Sequence, residues 1–453
     1  MATQLGNGTD GESASPSTRE TLQPTSEKTA ENAQHLDEPT RNPEISSDFI
    51  PPNGGIEAWM LVAAGFAVFV NVWGIISTFG AFQAFYLRDL LSNESTSAIS
   101  WIGSVQGFMV VFLGIFAGPL FDIGYMRPLI LTGSILTVFG VMMTSISTKY
   151  YQAFLAQGVC IGLGAGITYV PTLALIARYF TTKRPIAIGI AALGSSVGGV
   201  AYPIMFRRLE PRIGFGWTVR CLGFCTLFTA VLICAILCRH KGGKANKARA
   251  LLDLTALRES PFVSWAMALF FMYASYYVPL FFIVSYARWS LGASEDFAFY
   301  MLAVVNGGSA IGRTVPYLLG QRVKPIYTLI LSAVVGMVLI FSWIAIHDRA
   351  GFVVWCVLWG IVAGIQVTAP TSIMAHPIIS PSLDIIGTRM GMGWGAAAIG
   401  TVIGAPIAGA LSDIPTGDFV NAQIFGGVMM AAAFACLIWP MLAMERYDKS
   451  KSG

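Results

Sequence analysis

The chain has 453 residues, 55% of them hydrophobic and only 11% charged, with a formal net charge of +4. Water-soluble domains carry roughly 25% charged residues, so this composition excludes a soluble globule and points to a lipid bilayer. The small net charge, with its basic residues scattered between apolar blocks, also excludes a nucleic-acid-binding surface.

Residues 1–55 form a polar tail; its first fifty residues hold nine acidic and three basic side chains. Such a segment cannot bury a core and is expected to be disordered. It has no basic start followed by an apolar run, so it does not read as a cleaved signal peptide. From Ile56 onward, apolar runs long enough to cross a hydrocarbon layer of about 30 Å recur between short polar breaks. They fall at 57–87, 98–121, 127–147, 151–177, 185–206, 215–238, 262–287, 296–319, 325–346, 352–375, 390–412 and 421–444. The expected fold is an all-α membrane protein of twelve transmembrane helices in two six-helix halves, 56–238 and 262–444. A loop, 239–261, joins the halves, and a short tail, 445–453, ends the chain. All seven cysteines lie in apolar runs without CxxC spacing, so neither a metal nor a redox site is expected.

Basic residues are retained on the cytoplasmic side of a membrane. With the N-terminus inside, the cytoplasmic loops and C-terminal tail hold sixteen Lys and Arg and the opposite loops seven. Both termini are therefore expected in the cytoplasm, and the membrane is expected to be the plasma membrane. The sequon Asn93-Glu94-Ser95 then faces outward, making Asn93 a glycosylation candidate, whereas Asn7-Gly8-Thr9 stays inside.

The halves repeat. Gly189, Gly194 and Gly198 recur 206 positions later as Gly395, Gly400 and Gly404, each set followed by a proline, Pro203 or Pro406. Pro171-Thr172 with Ala177 is likewise matched by Pro370-Thr371 with Ala375. Parallel six-helix halves are the plan of the major facilitators. The spaced glycines read as places of close helix approach. Gly162-Leu-Gly164-Ala-Gly166 lies inside an apolar run with no strand before it, which argues against a nucleotide cradle.

Gly118-Pro-Leu-Phe-Asp122-Ile-Gly124-Tyr-Met-Arg127 resembles the loop signature of that superfamily, and Asp122 and Arg127 are its candidate gate. The matching loop of the second half has Gln321 where an acid is expected, so the gate reads as asymmetric. A charge inside a membrane helix costs about 2.5–3.5 kcal/mol on insertion scales and marks function by default. Arg313 lies deep in the eighth run with no Asp, Glu or Lys at comparable depth in any run, so its guanidinium is expected to meet either a shell of helix carbonyls and water or, the favoured reading, an anionic substrate. Arg220, near the start of the sixth run, can snorkel to an interface. Asn306 and Ser309 share the eighth run with Arg313, and Asn71, Ser77, Gln83, Gln106 and Gln366 are further candidates to line the path. His376, at the end of the tenth run, titrates in the useful range and is the candidate for proton coupling.

The chain resembles the monocarboxylate-transporter family, in particular its filamentous-fungal branch. The residues that carry the likeness are Asn53-Gly54-Gly55 with Ala58-Trp59, Asn71-x-Trp73-Gly74, Phe79-Gly80-x-Phe82-Gln83, and Ile99-Ser100-Trp101-Ile102-Gly103. Tyr179-Phe180 with Lys183-Arg184, Ala187-x-Gly189 and Asn306-x-x-Ser309-x-x-Gly312-Arg313 complete it. The resemblance implies a twelve-helix fold, transport of small organic anions or related metabolites, and a role for Arg313 in substrate binding or coupling. Asn53 and Ser309 stand where the family has acids, and the first helix lacks the family's lysine, which argues against proton-coupled lactate-type transport. Fungal members also move larger metabolites, and the aromatic residues of runs seven and eight suit a wider, less polar cavity.

The expected function is alternating-access transport of a small organic acid or carboxylated metabolite, with export of a fungal secondary metabolite as the leading form. Uptake of a monocarboxylate or vitamin-like nutrient is the alternative, followed by a non-transporting metabolite receptor. No catalytic constellation lies in any loop, so neither an enzyme nor a cofactor is expected. The expected partners are the organic anion, the lipid bilayer and, as a coupling ion, protons.

Overall fold

The computed structural model describes residues 53–240, 250–319, 323–374, 376–382, 385–414 and 416–452. The expected disorder of the N-terminal tail, the sequon at Asn7, and Gln321 and Ala375 lie outside the described residues. What is described is helical apart from turns and one isolated bridge between Asp413 and Asp418.

In chain order the helices are α1 (Gly55–Leu90), α2 (Thr96–Asp122), α3 (Met126–Thr144), α4 (Tyr150–Tyr179) and the stretch Arg184–Leu237. Gly214, at φ 73 and ψ 167, breaks that stretch into α5 (184–213) and α6 (215–237), a conformation that glycine adopts without steric cost. There follow α7 (Ser260–Ser290), α8 (Glu295–Leu319), α9 (Pro325–Trp343), α10 (Arg349–Ile373), α11 (Ile386–Ala410) and α12 (Val420–Ser452). Among the starts that carry side-chain caps, Ser95 Oγ accepts from the amide of Ala98 at 3.1 Å, Ser294 Oγ from that of Phe297 at 3.3 Å, and Asp348 from that of Gly351 at 2.7 Å.

Ten stretches of the described residues are long and apolar enough to cross a membrane, and the one broken at Gly214 contains two arms. Helix α8 is not among the ten, because Glu295, Asp296, Asn306 and Arg313 lower its hydropathy, although its 25 residues are enough to span. A bundle with this many apolar helices is an integral membrane protein.

The helices before residue 240 pack on one another, α1 on α5, α2 on α4 and α3 on α4; those after 250 do likewise, α7 on α11 and α12, α8 on α10 and α9 on α10 and α12. Among the described residues the main contacts that join the sets are those of α2 with α11, α5 with α8, and α1 with α7. The spaced glycines sit where backbones nearly touch. A Cβ on Gly198 would stand 2.7 Å from the Val70 carbonyl, and one on Gly404 2.1 Å from that of Ala274. Gly164 and Gly166 serve the same purpose against α3 and α2.

Candidate functional site

Where α1, α7, α8 and α10 converge, a narrow cavity is lined by Trp73, Ile76 and Ser77 of α1, Tyr273, Tyr276, Tyr277 and Leu280 of α7, Arg313 of α8 and Val367 of α10. It therefore lies at the junction of the two packed sets. Arg313 is 9% exposed. Its Nε donates to Ser309 Oγ at 3.3 Å and its Nη1 to the Ala192 carbonyl of α5 at a long 3.5 Å. Among the described residues it makes no ion pair. Two weak neutral acceptors do not offset the desolvation of a cation, so the site is electrostatically suited to an anion.

Beyond this cavity the way toward the Arg88 end of the bundle is shut in two layers. In the first, the rings of Phe79 and Phe281 meet at 4.6 Å, and α1 and α7 approach so closely that a Cβ on Gly80 would lie 2.7 Å from the Leu280 carbonyl. The second is a charge network. Arg88 meets Glu295 at 2.7 Å and Glu210 at 3.3 Å; Arg207 meets Glu295 and Asp296, each at 3.0 Å. Arg208 donates to the Tyr300 hydroxyl, and Arg288 lies 3.7 Å from Glu295. These pairs tie α1 and α5 to the start of α8. At the opposite end α4 and α10 form no extended interface among the described residues.

A helical membrane bundle with a cationic cavity between two sets of helices, shut at one end, is the architecture of a facilitator, and residues 61–381 match the Major Facilitator Superfamily. The chain belongs to the major facilitator superfamily. Among its relatives are the MFS-type transporter dbaD of Emericella nidulans, 35% identical over 85% of this chain and 86% of that one. The aspyridones efflux protein apdF of the same organism is 37% identical over 84% and 76%, and the MFS transporter asaE of Aspergillus flavus 34% over 88% and 90%. The chain is a membrane transporter and not an enzyme, similar to these MFS-type transporters, one of which is an aspyridones efflux protein.

In this facilitator the remaining sequence candidates are dispersed. Asn306 is packed against Gly199 at the α5–α8 contact and donates to Leu302 O at 2.9 Å. Asn71 bonds Tyr202 at 3.1 Å and Thr229 at 2.9 Å, inside the first set, rather than facing the cavity. Gln83 donates to Ser100 Oγ at 3.2 Å, and Gln366 to Ser332 O at 3.4 Å, both as helix-to-helix ties away from Arg313. Gln106 is fully buried on α2, and neither of its amide atoms is hydrogen-bonded among the described residues. Of the predicted path residues, Ser77 and Arg313 line the cavity and Ser309 touches Arg313.

At the end opposite Arg88, Asp122 is half-buried and Arg127 exposed, flanking a turn at Gly124 with φ 100. His376 Nε2 lies 3.3 Å from Asp448, which also takes Lys324 at 2.5 Å, so the histidine closes a cluster between α10, α12 and the start of α9. The Asp448 partner holds the Lys324 ammonium above its usual range. Asn93 is exposed in a turn, and Arg220 lies over the Trp217 ring at 4.8 Å.

Two charge clusters escaped the sequence reading. One is the network around Glu295, whose signal was a basic end of α5 (Arg207, Arg208, Arg212) facing an acidic start of α8. The other centres on Arg389 of α11, 1% exposed, which grips Glu259 with both terminal nitrogens at 2.5 and 2.6 Å, Asp253 at 2.8 Å and the Ile379 carbonyl at 2.7 Å. A hydrogen bond from Thr255, then one from Arg389, holds the Asp253 carboxyl below the usual carboxylate range.

Proposed function

We propose that this chain exports a carboxylated or otherwise acidic secondary metabolite by alternating access, with Arg313 binding the anion. The single observation that carries the reading is a buried guanidinium at the junction of the two helix sets, without an acidic partner among the described residues. A guanidinium offers parallel N–H donors that match a carboxylate, and an arriving anion relieves the cost of its burial. The likeness to an aspyridones efflux protein supports export over uptake. The motif around Asn306 and Arg313 supports a place in the monocarboxylate-transporter branch.

In this reading α8 and both arms of the bent stretch all span, giving twelve helices in two halves, 56–238 and 262–444. The sixteen-to-seven bias of basic residues supports cytoplasmic termini, and the membrane is read as the plasma membrane. The Arg88 end is then the outer one. The described conformation is accordingly inward-facing, and export proceeds by loading from inside, rocking of the halves and opening of the Glu295 network. Asn93 lies outside in this orientation, and glycosidase-sensitive mass that disappears in Asn93→Gln checks it.

The experiment is a mass-spectrometric comparison of organic acids in cells and medium, with and without the chain. Export predicts that at least one acid accumulates inside deletion cells and is restored to the medium by the wild-type chain. Unchanged ratios for every detected acid would overturn the proposal.

A further inference from the structure

The wall facing Arg313 is built of tyrosines. Tyr273, Tyr276 and Tyr277 stand at positions i, i+3 and i+4 of α7, a spacing that puts them on one face, and Trp73 of α1 lines the same cavity. Tyr273 and Tyr276 lie nearly parallel, 5.3 Å between centroids and 22° between planes; Tyr277 stands edge-on to Tyr276 at 5.0 Å and 75°. Trp73 is itself held edge-on by Tyr169 at 5.6 Å, and Tyr273 by Trp394 of α11 at 5.4 Å, so these rings are braced from behind. Tyrosines 273, 276 and 277 are buried as residues and line the cavity; among the described residues no protein group is hydrogen-bonded to their hydroxyls, which are not among the fully enclosed polar atoms. Packing alone is served as well by Phe or Leu, which bury no hydroxyl. Three such hydroxyls without protein partners, beside a guanidinium that makes no ion pair among the described residues, are donors arranged for acceptors that arrive from elsewhere.

Resting on the anion-transport reading above, we infer that the cargo is a planar, conjugated acid: an aromatic or enolised ring whose acidic oxygen meets Arg313. Its ring then lies among Trp73, Tyr276 and Tyr277, and further ring oxygens accept from the tyrosine hydroxyls. The cavity is narrow, about 20 Å³, so a flat guest enters with less displacement of the rings than a puckered one. Ring-on-ring contact adds attraction that a saturated analogue of equal size lacks. An aliphatic monocarboxylate would leave all three hydroxyls unpaired.

The test uses purified full-length protein in lipid nanodiscs and two matched probes, 2-naphthoate and decahydro-2-naphthoate, with binding read as ligand-induced thermal stabilisation. The inference predicts that the flat acid binds the wild type about tenfold more tightly. Tyr276→Leu and Tyr277→Leu should erase that preference. Tyr276→Phe and Tyr277→Phe, which keep the ring and the fold, should preserve it while weakening 3-hydroxy-2-naphthoate by several fold. Arg313→Gln should weaken both probes. Equal binding of the two probes, abolished by Arg313→Gln, would overturn the planar-cargo inference and leave the anion reading standing. Binding of both probes unaffected by Arg313→Gln would overturn the anion reading itself, and failure of either acid to bind the wild type overturns the inference.

Discussion

Arg207 Nη1 lies 3.0 Å from Glu295 Oε2, joining the end of α5 to the start of α8 where the two helix sets meet. Glu295 also accepts from Arg88 of α1, so one carboxylate is shared by two helices of the first set. Isolated exposed ion pairs contribute little, but this carboxylate is about three-quarters shielded and serves several partners at once. It is placed to hold one end of the bundle shut and to release it reversibly.

Glu295→Gln should therefore loosen this end without unfolding the protein. Discounted for partial exposure, the loss is about 1 kcal/mol, which shifts the open population about fivefold. A thiol placed in the cavity by Ser77→Cys reports it: an impermeant maleimide added from the Arg88 side should react several times faster in the Glu295→Gln background. An unchanged rate, measured against the background of the seven native cysteines, would show that the network does not hold the gate.

Close helix approach makes a second, sharper expectation. Gly404→Ala drives a methyl to 2.1 Å from the Ala274 carbonyl, and backbone cannot turn aside as a side chain can, so a cost of about 1–3 kcal/mol is expected. Gly391→Ala meets nothing closer than Ile115 at 3.8 Å and gains helix propensity, so it should be neutral or mildly stabilising. Thermal unfolding of the two variants in the same detergent should separate them by several degrees, and equal melting points would refute the assigned contact.

Arg389→Ala removes the guanidinium that joins the segment before α7 to α11. Because Glu259 and Asp253 retain some solvent, the cost is put at about 2–4 kcal/mol, below that of breaking a fully buried pair. Arg389→Lys should fall between, since one ammonium cannot reproduce the two-pronged contact with Glu259. The pH dependence has a definite sign. The Asp253 carboxyl is held below its ordinary value of 3.8, so its contribution is present above that value and is lost as pH falls through the lower one. Melting temperatures should differ between wild type and Arg389→Ala by a constant amount from pH 5 to 8 and converge only in stronger acid.

Most of the helices were legible because a bilayer permits few alternatives: apolar runs of sufficient length must be helical. The separate arms at 185–206 and 215–238 were visible as runs, and the turn between them is set by Gly214. The burial of Arg313 was legible because a cation among apolar residues stands out. Asn71, Gln83 and Gln366 looked equally suited to a path, yet polarity does not tell which face of a helix a side chain occupies, and all three are used up in ties between neighbouring helices. The tyrosine wall was visible only as aromatic content, since the pairing of α7 with Arg313 depends on how distant helices converge. Arg88, Arg207 and Arg389 were counted as loop charges because the acidic partners that tie them to other helices lie about 90 to 210 positions away in the chain or, for Arg389, about 130.

Transport by this protein rests on Arg313 as the anion's contact. The most direct measurement loads proteoliposomes with the acid that deletion cells retain and compares initial efflux through wild type, Arg313→Lys and Arg313→Gln at equal protein. Efflux should fall by about a hundredfold or more in Arg313→Gln, where the charge is gone, and only partly in Arg313→Lys, which keeps a point charge without the two-pronged geometry. Wild-type efflux through Arg313→Gln would contradict it.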